Sequence, residues 1–421
     1  MTKIIIQNVR VFDSERLLDS SNVIFTRSAS NIQDPMGEGS EAETSDVVVD
    51  GRGCTLVPGL IDVYANIKGA NAYLSEFAVH GVTTVIDLSS STQQCQALRV
   101  YTAGRTKLPT VLTSGTEAAP VHEHQPQLYD NPDEAAIRTK EDAVAFVAAK
   151  ASGPDRADFV KVVVDLDSPN DALLKAIVDT AHAHGKLTIA RTVGKSSYNR
   201  AMRAGFDIFA HAPLDAPLDT ELAREMAAQN KVFVPTLLMM KKRTGSGSRQ
   251  DSSQSGQRVP PGFPVPSLGR PAGVSEGSGG DDGDSAADIG SQRHKNPGAM
   301  SGGNYEHAVA SVRTLHGAGV TICAGTTANM IPGAEIPFGE GLHEELSLLV
   351  ETGMTHLEVL RSATCVAAKA FRLSDRGIVR GGLRADLLLV EGNPLEDISA
   401  TRKIRKIWIQ GEDIGPPSTS E

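Results

Sequence analysis

Four times along this chain a helix-compatible stretch ends in glycine and a β-rich run follows at once: AVHGVTTVIDL, AHAHGKLTIA, MRAGFDIFA and LHGAGVTICAG. Glycine takes the left-handed turn that closes a helix without steric cost. Each junction therefore reads as a short loop leading from a helix into a buried strand. Strands that alternate with helices in this way form a parallel sheet. The pattern predicts strands near residues 56–63, 82–88, 108–114, 158–165, 186–191, 206–211, 231–237 and 319–326. Eight strands with helices between them make an α/β fold of the (β/α)8 TIM barrel type.

The two ends read differently. KIIIQNVRVFD, NVIFTRS and SDVVVDGRGCTLVPG are short strands with turns, and so are RGIVRGGLRADLLLVEGNP and IRKIWIQGEDI. Neither end has enough strands to close a core, so both termini together are expected to build a small β-sandwich flanking the barrel. The predicted division is 1–55 and 371–421 for the sandwich and 56–370 for the barrel. Residues 243–303 are mostly Gly, Ser, Pro and Asp with few large apolar side chains. Such a segment buries too little surface to offset its ordering entropy, so it is expected to be a disordered insertion after strand seven. It is either a plain linker or, because it leaves the C-terminal end of a barrel strand, a lid.

Composition excludes several function classes. A formal net charge of -10 argues against a nucleic-acid partner. Cys54, Cys95, Cys323 and Cys365 show no Cys-x-x-Cys spacing, which fits a reducing compartment. The start, MTKIIIQNVRVFDS, has too short an apolar run for a signal peptide. No window approaches the roughly 18 apolar residues of a membrane span. A cytoplasmic protein with a small-molecule partner and no membrane contact is expected; self-association is left open.

The segments LVPGLIDV, HGVTTVIDL, AHAHGK, AGFDIFAH, VFVPTL, AGVTICAGT, LHEELSLLVETGM, EVLRSAT and DRGIVRGGLRADLLLVEGNPLEDI follow one another in this order. In that order the chain resembles the amidohydrolase superfamily, in its imidazolonepropionase-like and prolidase-like branch, from about Asn8 to Gly411 apart from the insertion. The resemblance implies a barrel flanked by a β-sandwich and a metal-dependent hydrolase of amide, lactam, ester or amidine bonds. It also implies a ligand set: His-x-His on strand 1, an often carbamylated lysine on strand 4, one histidine each on strands 5 and 6, and on strand 8 an aspartate that takes a proton from the attacking water. Imidazole and carboxylate suit zinc, which lowers the pKa of bound water to about 7.

Carried over residue by residue, the strand 1 histidines fall at Tyr64 and Asn66, and the lysine at Lys161 in DFVKVVV. The strand 5 histidine falls at Arg191 in KLTIARTVG, the strand 6 histidine is kept as His211 in FAHAPLD, and the aspartate falls at Thr327 in AGTTAN. Lys161 and His211 alone cannot make a tetrahedral site. No cofactor is therefore expected; zinc or another divalent metal would be needed only if the family mechanism persists. A threonine hydroxyl is no general base near neutral pH.

Lys161 and Arg191 keep positive character at the replaced site, which would hold an anionic ligand or steady an oxyanion, with His211 as acid or base. Alternatively, Arg191 fills the metal void and neutralises acids such as Asp62. Tyr64, Asn66 and Thr327 are read as substrate contacts or as drift. His343, in the helix after strand 8, is read as a substrate contact or a capping residue. His122 and His124 in PVHEHQ are either solvated loop residues or, with His211, ligands of a relocated metal. His182 and His184 read as structural, and Cys323 and Cys365 as small buried residues. Two functions follow: a carbon–nitrogen (non-peptide) bond hydrolase retooled to work without its metals, or an inactive pseudoenzyme that binds a ligand or partner.

Overall fold

The computed structural model describes residues 2–26, 31–33, 45–119, 136–153, 156–164, 169–192, 194–245 and 303–415. His122, His124 and nearly all of the expected insertion lie outside them. The first strands are β1 (Lys3–Phe12), β2 (Leu17–Thr26), β3 (Val47–Asp50) and β4 (Cys54–Pro58). The central region then alternates. It runs β5 (Leu60–Ala65), α1 (Leu74–Val79), β6 (Val82–Asp87), α2 (Thr92–Thr102), β7 (Thr110–Thr113), α3 (Lys140–Ala151), β8 (Phe159–Val164) and α4 (Asp171–Ala183). It continues through β9 (Leu187–Thr192), α5 (Lys195–Ala204), β10 (Ile208–Ala210), α6 (Thr220–Ala228), β11 (Val232–Val234), α7 (Leu237–Gly245), α8 (Tyr305–Gly317) and β12 (Thr321–Ile322). The chain ends with α9 (Glu340–Glu351), α10 (His356–Ser362), α11 (Cys365–Ala370), β13 (Leu387–Glu391), β14 (Ile404–Ile409) and β15 (Glu412–Asp413). The last two residues of α7 extend past residue 243, where the composition predicts the insertion to begin.

The central strands form an α/β fold with two parallel sheets, β5-β6-β7 and β8-β9-β10-β11-β12. Backbone hydrogen bonds run between the sheets at both ends. Val163 N–H donates to Ala118 O (2.8 Å) on one side, and Val63 N–H to Ala324 O (3.2 Å) on the other. Side-chain parity along the strands feeds two cores. Val160, Val162 and Val164 of β8 pack in the larger core with the helices, beside Leu174, Ile177 and Leu346. Phe159 belongs to a second core with Ile61, Ile86, Ile189, Ile208 and Val232, drawn from both sheets. Lys161 and Arg191 share the parity of Phe159 and Ile189, so both point to the side of that second core.

The first expected strand, 56–63, is two strands. Gly59 splits it, and the chain changes sheets there. Its N–H donates to Asp386 O, and a Cβ at Gly59 would lie 2.3 Å from Thr83 Oγ1. Only glycine leaves room for the Thr83 side chain against this backbone.

Both chain ends join one seven-stranded sheet of order β15-β14-β13-β4-β1-β2, with β3 also paired to β1. Strands β2 and β14 are three strands apart in that order. Yet the Phe25 and Trp408 rings meet edge-on at 5.4 Å, so the sheet is rolled over on itself. Ile6, Val23, Leu56, Leu387 and Trp408 fill the space inside it. Both chain ends thus contribute to one continuous sheet. Among the described residues no helix is long and apolar enough to cross a membrane.

Candidate functional site

The geometry centres on Lys161. It sits mid-strand in the apolar run FVKVVV and is 2% exposed. Burying an ammonium is costly unless it is paired. The partner is Glu117, in the segment after β7, whose Oε2 lies 2.6 Å from Lys161 Nζ. Nζ also donates to Leu88 O at 2.5 Å. Arg191, at the end of β9, reaches the other Glu117 oxygen at 3.3 Å. Burial would raise the Glu117 pKa, but Lys161 and Arg191 outweigh it and hold the carboxyl below its usual range. Burial likewise pulls Lys161 down, and the Glu117 charge more than restores it. The pair is ionised.

His211 follows β10 and stacks at a tilt on the Tyr64 ring, with centroids 4.8 Å apart. Its Nδ1 lies 2.8 Å from Thr236 Oγ1, and that hydroxyl donates to Pro235 O at 2.7 Å. A hydroxyl has one proton. When that proton goes to Pro235 O, Thr236 accepts from His211 Nδ1–H and Nε2 carries the lone pair. Burial lowers the His211 pKa well below its ordinary value, helped by the charges of Arg191, Arg243 and Lys161. The ring is neutral at pH 7. Arg243, near the end of α7, and Glu117 are the two charged members that sequence reasoning missed. The sole signal for Glu117 is its place just after the third predicted strand; Arg243 stands at the first residue of the expected insertion.

Tyr64 is buried, and Lys161 Nζ lies 5.0 Å from its ring centroid. Asn66 lies one residue beyond β5; its Oδ1 is buried and accepts no hydrogen bond among the described residues. Thr327 is fully buried with φ 59°, and its hydroxyl donates to Thr326 O, so that proton is spent on the chain itself. Asp62 accepts from Thr326 Oγ1 (2.6 Å), Thr326 N–H and Tyr64 N–H, and burial raises its pKa to about 7.

His343 is 1% exposed and uses both ring nitrogens on protein groups, Nε2 on His80 O and Nδ1 on Thr401 Oγ1, each at 2.9 Å. A carbonyl only accepts, so Nε2 is the protonated nitrogen. Burial lowers the His343 pKa to about 4. His343 thus ties α9 to the chain ends and is not brought to the Lys161 cluster by these bonds. His184 caps the end of α4, His182 bonds Asp207 at 2.9 Å, and Cys323 is buried.

The family's ligand positions therefore present a phenol, an amide, an ion-paired ammonium, a guanidinium, one imidazole and a threonine. Zinc takes thiolate, imidazole and carboxylate. Among the described residues no three His, Cys, Asp or Glu side chains come together to hold a metal ion. The charged groups acting on His211 are cations. These residues do not fit a divalent metal.

The chain is similar to an uncharacterised protein of Mycobacterium bovis, with 24% identity over 88% of each chain. In structure it is similar to a Xaa-Pro dipeptidase with methionine bound in its active site, at TM-score 0.77 and 20% identity, covering 98% of this chain and 100% of that one. It is also similar to a putative prolidase from Bifidobacterium longum, at TM-score 0.72 and 20% identity, covering 99% of this chain and 96% of that one. The sequence model of the amidohydrolase family matches residues 55–413, and the chain belongs to that family.

Proposed function

We propose that this chain is an amidohydrolase-family protein whose site has been rebuilt from a metal centre into a binding site for a small anionic molecule. The observation that carries this reading is the Lys161–Glu117 ion pair at 2.6 Å, with Arg191 on the other carboxylate oxygen. Glu117 holds Lys161 and Arg191 together, and the charges of Lys161, Arg191 and Arg243 all act on the neighbouring His211, which supports a site that favours a carboxylate or phosphate. Asn66 Oδ1 offers an acceptor for a donor on the same ligand. The scaffold is read as a (β/α)8 barrel over 56–370, closed by the hydrogen bonds between the two parallel sheets, with 1–55 and 371–421 as the flanking unit. The protein is read as cytoplasmic. Hydrolysis of a carbon–nitrogen bond without metal is the second reading, favoured by the bare Nε2 of His211.

Elemental analysis of the full chain, after loading with zinc or manganese and desalting, tests the first reading. No stoichiometric metal is expected. Calorimetric titration with small carboxylates and phosphate is expected to show binding that weakens with salt and is lost in Arg191→Gln. Metal retained by the native chain and lost in His211→Ala would overturn the reading and restore a metal-dependent hydrolase.

A further inference from the structure

Glu345 is a fully buried carboxyl in α9, on a helix whose Leu342, Leu346 and Leu349 are core residues. A lone acid among leucines needs partners. It finds them at the start of α7, where its Oε1 accepts from Leu237 N–H and its Oε2 from Leu238 N–H, both at 2.8 Å. These are two of the amides that an α-helix leaves without an internal acceptor. The residue just before them is Thr236, at φ 52°. A β-branched residue in the left-handed region is uncommon and is kept there only by its surroundings. Thr236 is also the residue whose Oγ1 lies 2.8 Å from His211 Nδ1. Three contacts therefore run in sequence: Glu345 to the first turn of α7, that turn to Thr236 immediately before it, and Thr236 to His211.

We infer that Glu345 is a positioning residue of the site, holding Thr236 in the left-handed conformation that makes His211 present an unprotonated Nε2. The inference rests on the role proposed for the bare Nε2 of His211 in the second reading for its consequence, but not for its test. It differs from simple helix capping in what it predicts at a distance. A cap would affect only the stability of α7. A positioning residue also changes the imidazole.

The experiment is nitrogen NMR of the full chain labelled with 15N-histidine, without ligand, at one pH, with His211 assigned from the His211→Asn spectrum. In the native chain, Nδ1 is expected at a protonated-nitrogen shift and Nε2 at a lone-pair shift. Thr236→Ser keeps the hydroxyl and is expected to keep both shifts. Thr236→Val and Glu345→Gln are each expected to move the two shifts toward one another, as the second tautomer becomes populated. Native His211 shifts in Glu345→Gln, alongside moved shifts in Thr236→Val, would overturn the inference. If Glu345→Gln does not fold, Glu345→Asp, which withdraws the carboxylate by one methylene, is read in the same way. Amide exchange in the native chain stands apart from every variant. Leu237 and Leu238 are expected to be protected, and exchange of both at the rate of unstructured amides would also overturn the inference. Anion binding that fails while the shifts behave as stated would refute the ligand reading and leave the positioning role intact.

Discussion

Lys161 and Glu117 show how much a pair can matter when neither member is at home where it sits. A buried ion pair is worth little against a well-packed apolar replacement, but removing one partner strands the other charge. Glu117→Gln is therefore expected to destabilise the chain by about 3–5 kcal/mol in urea unfolding. The double variant Glu117→Gln/Lys161→Met should recover most of that loss. Equal losses in the single and double variants would mean that the pair is not coupled. Arg191 is a contrasting case. Its side chain is 28% exposed and its contact is 3.3 Å, so Arg191→Gln should cost less than about 1 kcal/mol of stability while abolishing anion binding. Lys161, Arg191, Tyr64 and His211 were legible in the sequence because each falls at a position that the amidohydrolase resemblance assigns to a ligand, Lys161 within a predicted strand and the other three at or just past a strand end. Glu117 was not, because TSGTEAAP has no periodicity and nothing local tells which strand it will face.

At the scale of elements, glycine punctuation carried the information. The helix–Gly–strand junctions locate strands because a left-handed closing residue and a β-branched run are both local properties. Gly81, Gly185, Gly205 and Gly319 all have positive φ in the structure. The division of 56–63 into β4 and β5 was not legible, since the apolar run is continuous and the break depends on Thr83 and Asp386, both distant in sequence. That gives Gly59 a definite role. Gly59→Ala puts a methyl 2.3 Å from Thr83 Oγ1 and 2.9 Å from its Cβ, so it should cost about 1–3 kcal/mol, as overpacking does. Adding Thr83→Ala removes the two nearest atoms and should recover part of the loss. Unfolding curves for the two single variants and the double variant decide it, and strictly additive losses would place the strain elsewhere.

For the whole molecule, four buried groups shape the dependence of stability on pH, and they pull in opposite directions. His343, lowered to about 4, and His211, also lowered, are neutral when folded. Their contribution is complete above the ordinary histidine pKa of about 6.5 and is lost as pH falls toward the folded values. Asp62, raised by burial to about 7, and Glu345, raised by burial to about 8, hold protons that the unfolded chain has released. Their contribution is complete below the ordinary carboxyl range and is lost as pH rises through it toward 7 and 8. Between roughly pH 4.5 and 6.5 the histidine slope opposes that of Asp62 and Glu345, to which the buried Asp87 and Asp386, also raised, add. Above that the histidine terms are complete while unfolding continues to release the Glu345 proton, at 1.36 kcal/mol per pH unit. The native chain should therefore lose about 2 kcal/mol between pH 6.5 and 8. Glu345→Gln has no proton to release, so it starts less stable at pH 5.5, having lost one amide bond, and then stays level through pH 8. Urea midpoints of both chains at pH 5.5, 6.5, 8 and 9 measure this. Parallel curves would show that Glu345 is ionised throughout, held so by the two amides at the start of α7, and that the alkaline loss comes from Asp62 or from elsewhere.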